Sequence, residues 1–425
     1  MIILSPNVEL RKPQSLGTRI LITNNTLAQQ AGTERFVCDL AQTLLRRGFQ
    51  PTVYSTILGE PAAELMRRSI PVTDDLNTLR EPPHLIHGQH HLETMTAITH
   101  FPDIPAIYVC HGWLPWEEHP PISPNIRHYV AVDDLCRERL FATTPAPADQ
   151  ISVIYNAVDI TRFIRRSALP SQPKSALIFS NQARIDNFGG TIAKACQKAG
   201  IEKIDFMGQS SGAVSHQPEN ILGDYDLVFA KGRSALEAMA IGCAVVVADI
   251  DGISSIVGMD NLPRLRRLNF GLRAIQEEPI TVDSVLRVLK TYDANNSMKV
   301  TDWIRANATL ESSVTEWEKV YSQVMTNVDY EVPPRESLLA VSEYLKFISP
   351  IVKGKLDAEI RAAQLEGDLI NSRQQLAASE ALLHESEKTW QSVRRTRGWK
   401  VLNMIWSLKQ RLSFKRSRRS TNGTL

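Results

Sequence analysis

Short apolar runs that favour β-strands alternate with longer amphipathic segments through the first two thirds of this chain. The first run is Arg19–Thr23 (RILIT), and in the segment after it Phe36, Leu40 and Leu44 recur on one helical face. Later runs of the same kind are PTVYST, HLIHG, AIYVCHG, HYVAVDD and ISVIY. Parallel strands need a crossover connection, and an intervening helix supplies it. We therefore expect an α/β fold with parallel sheets.

The alternation stops once and then begins again. Residues 169–174 (LPSQPK) are rich in proline and polar residues, and the run ALIFSN follows them. We therefore expect two doubly wound, Rossmann-like domains, at residues 1–165 and 166–330, joined by a linker at about residues 160–174. Open parallel sheets bind ligands at the carboxyl ends of their strands, so the cleft between the domains is the expected binding site.

The segment 331–393 has the composition of a long helix. Its apolar residues recur every seven positions, at Leu369, Leu376, Leu383 and Trp390. Serine occupies three of the four companion positions, so only half of a heptad seam is apolar. The pattern predicts a solitary helix or a weak coiled coil, with self-association through residues 354–393 left open.

Charge is distributed unevenly. The net charge is +2, but residues 388–425 hold 11 Lys or Arg and no Asp or Glu, so residues 1–387 carry a net charge of −9. The tail, residues 394–425, combines these cations with tryptophan and aliphatic residues, which suits an amphipathic helix on an anionic membrane. A helix docked on the protein followed by a solvated basic tail fits equally well. Nucleic acid fits less well, because the cations lie at one end and no reading motif is present.

Composition excludes several other classes. A hydrophobic fraction of 43% over 425 residues is ordinary for a globular protein, and no run approaches the roughly 18 apolar residues of a membrane span. The N-terminus lacks a signal pattern, so we expect a cytoplasmic protein, with peripheral attachment to the inner face of the membrane as an alternative. Five cysteines occur singly, at Cys38, Cys110, Cys136, Cys196 and Cys243. Their spacing predicts no metal site and no disulfide.

The stretch KGRSALEAMAIGCAVVVAD, Lys231–Asp249, contains one acidic residue before its final strand. Glu237 lies on the solvent face of a short helix, or it reaches into a cleft. If Gly232 turns the chain into this helix and Ser234 caps it, the free N–H groups at its start favour an anion. A carboxylate one turn further on can accept hydrogen bonds from two hydroxyls of a ribose. No other phosphate-binding glycine motif follows a predicted strand.

Three segments resemble glycosyltransferase family 4, a group with the two-domain GT-B fold. SALEAMAIGCAVVVAD is similar to its donor-site segment. YNAVDITRF (Tyr155–Phe163) resembles its Asn-Gly-Val-Asp-x-x-x-Phe segment, with Ala157 replacing glycine. AGTERFVCDLAQTLLRRGFQPTVYS resembles its Gly-Gly-x-Glu-Arg opening helix. The three segments occur in the family's order.

The resemblance implies roles for single residues. Glu237 would bind the donor ribose, Gly32 and Thr33 would approach the donor phosphates or the acceptor, and His111 would be the catalytic histidine near the transferred sugar. A histidine after a strand is also common as a structural residue. The start of the predicted helix and three cations are the candidates for diphosphate contact: Gly232, Ser234, Arg184, Lys231 and Arg233.

The resemblance further implies an enzyme of polysaccharide biosynthesis. The first domain would bind a glycan or lipid-linked acceptor, the second a nucleotide sugar, and the sugar would be transferred with retention, without a metal, a cofactor or nucleic acid. One departure is Phe229, where the family carries a second glutamate eight positions before Glu237. It leaves an alternative open, a catalytically weak or inactive GT-B scaffold recruited to an assembly complex for surface polysaccharide.

Overall fold

The computed structural model describes residues 17–29, 32–215, 217–326 and 332–420, with side chains through residue 409. The chain divides before Leu345 into two compact units. The first unit contains two β-sheets, each with helices, and the second is helical. We call the part around the first sheet the first lobe and the part around the second sheet the second lobe.

The first lobe contains a parallel sheet of seven described strands in the order β3-β2-β1-β4-β5-β6-β7. Its elements are β1 (Arg19–Thr23), α1 (Gly32–Arg46), β2 (Gln50–Tyr54), α2 (Glu60–Arg67), β3 (Val72–Thr73), β4 (Leu85–Gln89), α3 (His91–His100), β5 (Ala106–Cys110), β6 (Ile126–Ala131), α4 (Asp134–Thr143) and β7 (Ile151–Val153). The strand order reverses between β1 and β4, which makes the sheet doubly wound.

The second lobe contains five described strands in the order β12-β11-β10-β8-β9, and only β12 is antiparallel to its neighbour. Its elements are β8 (Ser175–Phe179), α5 (Phe188–Lys198), β9 (Lys203–Met207), β10 (Leu227–Ala230), α6 (Gly232–Ile241), β11 (Ala244–Asp249), β12 (Gly252–Ile256), α7 (Leu262–Arg267), α8 (Leu272–Ile275), α9 (Val282–Leu289) and α10 (Ala294–Asn307). The order reverses between β8 and β10, so the expected fold of two doubly wound sheets is confirmed.

One helix lies in a different lobe from the one its sequence position suggests. Helix α11 (Leu310–Thr326) falls within the predicted domain 166–330, yet it packs in the core of the first lobe. Trp317 and Tyr321 are buried there, and the Tyr321 hydroxyl lies 2.7 Å from Nδ1 of His87 on β4. The apolar face of α11 matches the surface beside β4, so packing overrides chain order.

The chain passes between the lobes at two places, and these are hydrogen-bonded to each other. The Val158 N–H donates to the Ala308 carbonyl at 2.9 Å, and the Leu310 N–H donates to the Val158 carbonyl at 2.9 Å. This short parallel bridge lies inside the predicted motif segment Tyr155–Phe163. It ties the linker to the start of α11.

The segment after the lobes forms two helices, α12 (Pro334–Arg395) and α13 (Arg397–Ser420). The recurring residues Leu369, Leu376, Leu383 and Trp390 are all exposed. Self-association through this stripe stays a prediction, which sedimentation measurements can test. No helix in the described part of the chain is long and apolar enough to cross a membrane. The side chains of the cationic cluster at 415–419 lie outside the described residues.

Candidate functional site

A cavity of about 500 Å³ opens between the two lobes. The second lobe supplies the residues at the carboxyl ends of four neighbouring strands, including Ser180, Met207, Lys231 and Asp249. This is the edge of a doubly wound sheet where ligands bind, beside the point at which the strand order reverses. The first lobe supplies Gly32 and Arg35 from the first turn of α1.

The turn from β10 into α6 directs the start of this helix at the cavity. Only Lys231 separates Ala230 from Gly232, and Gly232 has a φ of +58°, a left-handed conformation that favours glycine. The cap residue is Lys231, with no side-chain cap, and Ser234 is the third helical residue. The prediction that Ser234 caps α6 is therefore wrong. Gly232 and Ser234 line the cavity, and the first-turn N–H groups have no partner within the helix.

Glu237 is buried and lines this cavity, so it does not lie on the solvent face of α6. Its side chain is next to that of Arg233, one turn earlier, and Arg233 Nε donates to Glu237 Oε1 at 2.8 Å. Burial raises the pKa of the Glu237 carboxyl, and the attraction of Arg233 only partly offsets this effect. The ribose-binding role of Glu237 stays a prediction, now for a residue at the cavity wall.

Arg233 is paired with carboxylates from both lobes. Besides Glu237, its guanidinium forms an ion pair with Asp39 on α1. Burial would lower the pKa of Arg233, but the two carboxylates outweigh it and the pKa is raised. Asp39 also accepts from Arg162 Nη1 at 3.2 Å and lies 4.0 Å from Arg35.

The sequence analysis missed three of these residues, Arg35, Asp39 and Arg162. Arg35 and Arg162 line the cavity, and Asp39 lies behind them. Arg35 and Asp39 are four residues apart on α1, a spacing that pairs side chains on a helix, and this was the one available signal. Nothing local in the sequence links Asp39 to Arg233, which is 194 residues away.

Lys231 is held at the cavity by a buried carboxylate. Its ammonium forms an ion pair with Asp249, which is 2% exposed, and the Ser180 hydroxyl donates to the other oxygen of Asp249 at 2.6 Å. An ammonium fixed beside the start of a helix adds to the positive potential there. Lys231 is therefore well located to bind an anion. The two residues that hold it in place, Asp249 and Ser180, were not predicted as site residues.

Two predicted residues lie outside this cavity lining. Arg184 is more than half exposed and pairs with Asp186 at 2.8 Å, in the loop after β8. The hydroxyl of Thr33 is directed at the neighbouring Glu34, to which it donates at 3.1 Å. The structure thus brings Gly32 to the cavity without bringing Thr33 or Arg184, and their predicted roles remain untested.

His111 follows β5 and also lies outside the lining. Its ring packs edge-on against Phe36 of α1, with ring centroids 4.9 Å apart, and its backbone N–H donates to Glu118 Oε2 at 2.9 Å. Burial lowers the pKa of His111 to about 4, so the ring is neutral at pH 7. Its Nε2 is buried and has no hydrogen-bond partner among the described residues. The catalytic role stays a prediction.

Phe229 cannot stand in for a sugar-binding glutamate, because its side chain points into the sheet core. It lies within β10, is 1% exposed, and packs with residues of β8 and β11. β10 continues to Ala230 and α6 begins at Gly232, so no loop exists in which a carboxylate at position 229 could face the cavity.

The described residues contain no group of three or more His, Cys, Asp or Glu side chains arranged to hold a metal ion. All five cysteines are buried and free.

Comparison with known proteins identifies the fold. Residues 31–162 match the model of Glycosyltransferase Family 4. A glycosyltransferase from Rickettsia africae ESF-5 aligns with 73% of this chain and 99% of its own, at 13% identity and a TM-score of 0.52. HepE from Anabaena, solved in complex with UDP-glucose, aligns with 72% of this chain and 99% of its own, at 14% identity and a TM-score of 0.50. No curated protein matches this sequence. At these identities the structural likeness concerns the fold alone.

Proposed function

We propose that residues 31–162 form a divergent domain of glycosyltransferase family 4 in a two-lobed GT-B fold. From this premise, the protein transfers a sugar from a nucleoside diphosphate sugar to a glycan or lipid-linked glycan. The observation that carries the proposal is the position of Glu237 in the wall of the cavity between the lobes. Glu237 lies five residues after Gly232, the first residue of a helix whose start favours an anion. A ribose diol and a diphosphate require these two groups side by side.

The charges at the cavity suit the leaving group of such a reaction. The bond between the anomeric carbon and the diphosphate oxygen breaks, and the diphosphate leaves with the electron pair. An acceptor oxygen bonds to the carbon, and its proton passes to the leaving diphosphate. The Gly232 N–H donates to the Phe270 carbonyl at 2.8 Å. Lys231 and the N–H groups of Arg233 and Ser234 would therefore stabilise the negative charge that develops on the diphosphate. Arg35 and Arg162 line the other side of the cavity, where they pair with Glu64 and Asp39 and would have to exchange these partners for a phosphate. Retention is part of the proposal, from the family resemblance.

Nucleotide binding and turnover test this proposal together. The protein is titrated with UDP, GDP, ADP, CDP and dTDP by calorimetry, and sugar nucleotides of the base that binds best are then screened for hydrolysis. Glu237→Gln replaces one of the two carboxylate oxygens that could accept a hydrogen bond from the ribose. It is expected to cost about 1.5–3 kcal/mol of binding free energy, about tenfold or more in Kd. Glu202→Gln, an exposed glutamate of the same lobe, is the matched control and should bind as the wild type does.

The outcomes separate the proposal from its alternatives. No binding of any of these nucleotides would refute a nucleotide-sugar site. Binding without hydrolysis or transfer from any donor would favour a scaffold over an enzyme. Equal loss of affinity in the Glu237→Gln and Glu202→Gln variants would remove Glu237 from the site.

We also propose that α13 binds an anionic membrane surface, which would bring the enzyme to a lipid-linked acceptor. Val401, Ile405 and Leu408 recur at the spacing of one helical face, and each is about half exposed or more. Trp390 and Trp399 are in edge contact, with ring centroids 5.3 Å apart. No acidic residue occurs after Glu387, so the charge complements anionic headgroups.

Vesicle sedimentation tests the membrane proposal on the full chain. The triple variant Val401→Ser, Ile405→Ser, Leu408→Ser removes this apolar face and keeps every cation. It should reduce binding to phosphatidylglycerol vesicles severalfold, since each apolar side chain contributes burial at the interface. Phosphatidylcholine vesicles are the control for charge. Unchanged binding by the triple variant would refute insertion of this face.

A further inference from the structure

The structure assigns Asp39 of the first lobe as a positioning residue that keeps one oxygen of Glu237 free for the nucleotide ribose. This inference rests on the proposed function and adds a residue that is not itself part of the cavity lining but contacts two residues that are, Arg162 and Arg233. Asp39 acts through Arg233, whose guanidinium lies between the carboxylates of Asp39 and Glu237.

The geometry of the Arg233 guanidinium carries the argument. Its Nε and Nη2 groups both donate, Nε to Glu237 Oε1 at 2.8 Å and Nη2 to Asp39 Oδ2. These two N–H groups point to the same side of the planar guanidinium and form the fork that binds a carboxylate through both oxygens. In this protein the fork is divided between two carboxylates. The hydrogen bond to Glu237 reaches only Oε1, and no described residue donates one to Oε2.

Loss of the Asp39 charge would change this division. Arg233 Nη2 would lose its charged partner in the first lobe, and the second oxygen of Glu237, one turn along α6, would be available to it. A bidentate pair between Arg233 and Glu237 would then occupy both acceptor oxygens. The ribose would have to break this pair in a buried site, where charged hydrogen bonds are strong.

The positions of the three residues link donor recognition to both lobes. Asp39 comes from α1, whereas Arg233 and Glu237 belong to α6. Asp39 itself is held by Arg162, at the junction, through a hydrogen bond of 3.2 Å. The second oxygen of Glu237, in the second lobe, is therefore kept free only when Asp39 of the first lobe holds Arg233.

Asp39→Asn tests the inference, since it keeps the shape and removes the charge. The nucleoside diphosphate that binds the wild type best is compared with its 2′,3′-dideoxy form, which lacks both ribose hydroxyls. We expect the wild type to prefer the ribose form about tenfold or more. Asp39→Asn should raise Kd and the donor KM about tenfold, leave kcat near the wild-type value, and reduce the preference to about two- to threefold. Asp39→Glu, which restores the carboxylate, should recover most of the preference.

Two further variants exclude a merely structural role. Asp134→Asn removes another ion pair between the lobes, with Arg267 at 2.7 Å, away from Glu237, and should keep the wild-type preference. Arg233→Lys keeps the charge but has no fork, so it should keep the preference and make Asp39→Asn nearly silent in the same chain. If Asp39→Asn does not unfold cooperatively, the ribose preference of Arg233→Lys still tests the inference.

Several results would overturn the inference. The first is an Asp39→Asn variant with the affinity and ribose preference of the wild type. The second is an Asp134→Asn variant that loses as much ribose preference as Asp39→Asn. The third is an Arg233→Lys variant without the ribose preference. If these occur while Glu237→Gln still weakens binding, the proposed function stands and only the role of Asp39 falls. If the wild type binds no nucleoside diphosphate, both fall.

Discussion

Introducing glutamate at position 229, where the family pattern has one, is expected to unfold the second lobe without adding activity. Phe229 is 1% exposed on β10, between β8 and β11. Removing a buried phenylalanine side chain costs about 3–5 kcal/mol. A carboxyl at this position has no partner in the core of apolar residues, and burying it costs several kcal/mol more, even if it takes up a proton. The sum is comparable with the whole stability of a typical domain, about 5–15 kcal/mol.

The assay compares three proteins by thermal unfolding and by donor hydrolysis. Phe229→Glu should lower the unfolding midpoint of the second lobe by about 10 °C or more, or prevent soluble expression, since about 1 kcal/mol corresponds to about 2–4 °C for a unit of this size. Phe229→Leu keeps an apolar side chain and should lose only a few degrees. A Phe229→Glu protein that unfolds near the wild-type temperature, or that gains turnover, would refute the assignment of this position to the sheet core.

Two predictions concern the first lobe. Tyr321→Phe removes the hydroxyl 2.7 Å from Nδ1 of His87, a buried ring whose pKa is lowered by burial to about 3. The free energy of unfolding in urea should fall by about 1–3 kcal/mol. An unchanged urea midpoint would refute this contact between α11 and β4. Burial raises the pKa of Glu93 to about 7, above the ordinary 4.5, so the native state holds a proton that the unfolded chain releases, and stability is lost as the pH rises from about 4.5 to 7. Glu93→Gln should remove this loss, gaining up to about 3 kcal/mol relative to the wild type at pH 8 but not at pH 4.5, and equal differences at both values would contradict it.

The fold could be predicted because its signals are local. The alternation of apolar runs with amphipathic segments predicted both doubly wound sheets, and strands such as Arg19–Thr23 and Ala244–Asp249 occur where the pattern has them. The sequence did not decide which lobe helix α11 packs on, because an amphipathic face states that a helix packs but not which surface it packs against.

The candidate site could be predicted only in its part from α6. The stretch Lys231–Asp249 predicted a helix start and an acid one turn along it, and both line the cavity. The cap at Ser234 was misassigned by three residues, since the connection from β10 is shorter than the pattern suggested. Arg184 and His111 were predicted from the family resemblance, and both lie outside the lining: Arg184 pairs with Asp186 and the ring of His111 packs against Phe36.

By itself the sequence determined the class of fold, the two sheets and the acid of α6, because periodicity and turn chemistry act over a few residues. Only the tertiary structure decided that Asp39 meets Arg233, that Phe229 faces the core, and that α11 crosses to the first lobe. These contacts join residues far apart in the chain, and each depends on the complementary shape and charge of surfaces that exist only once both sheets have formed.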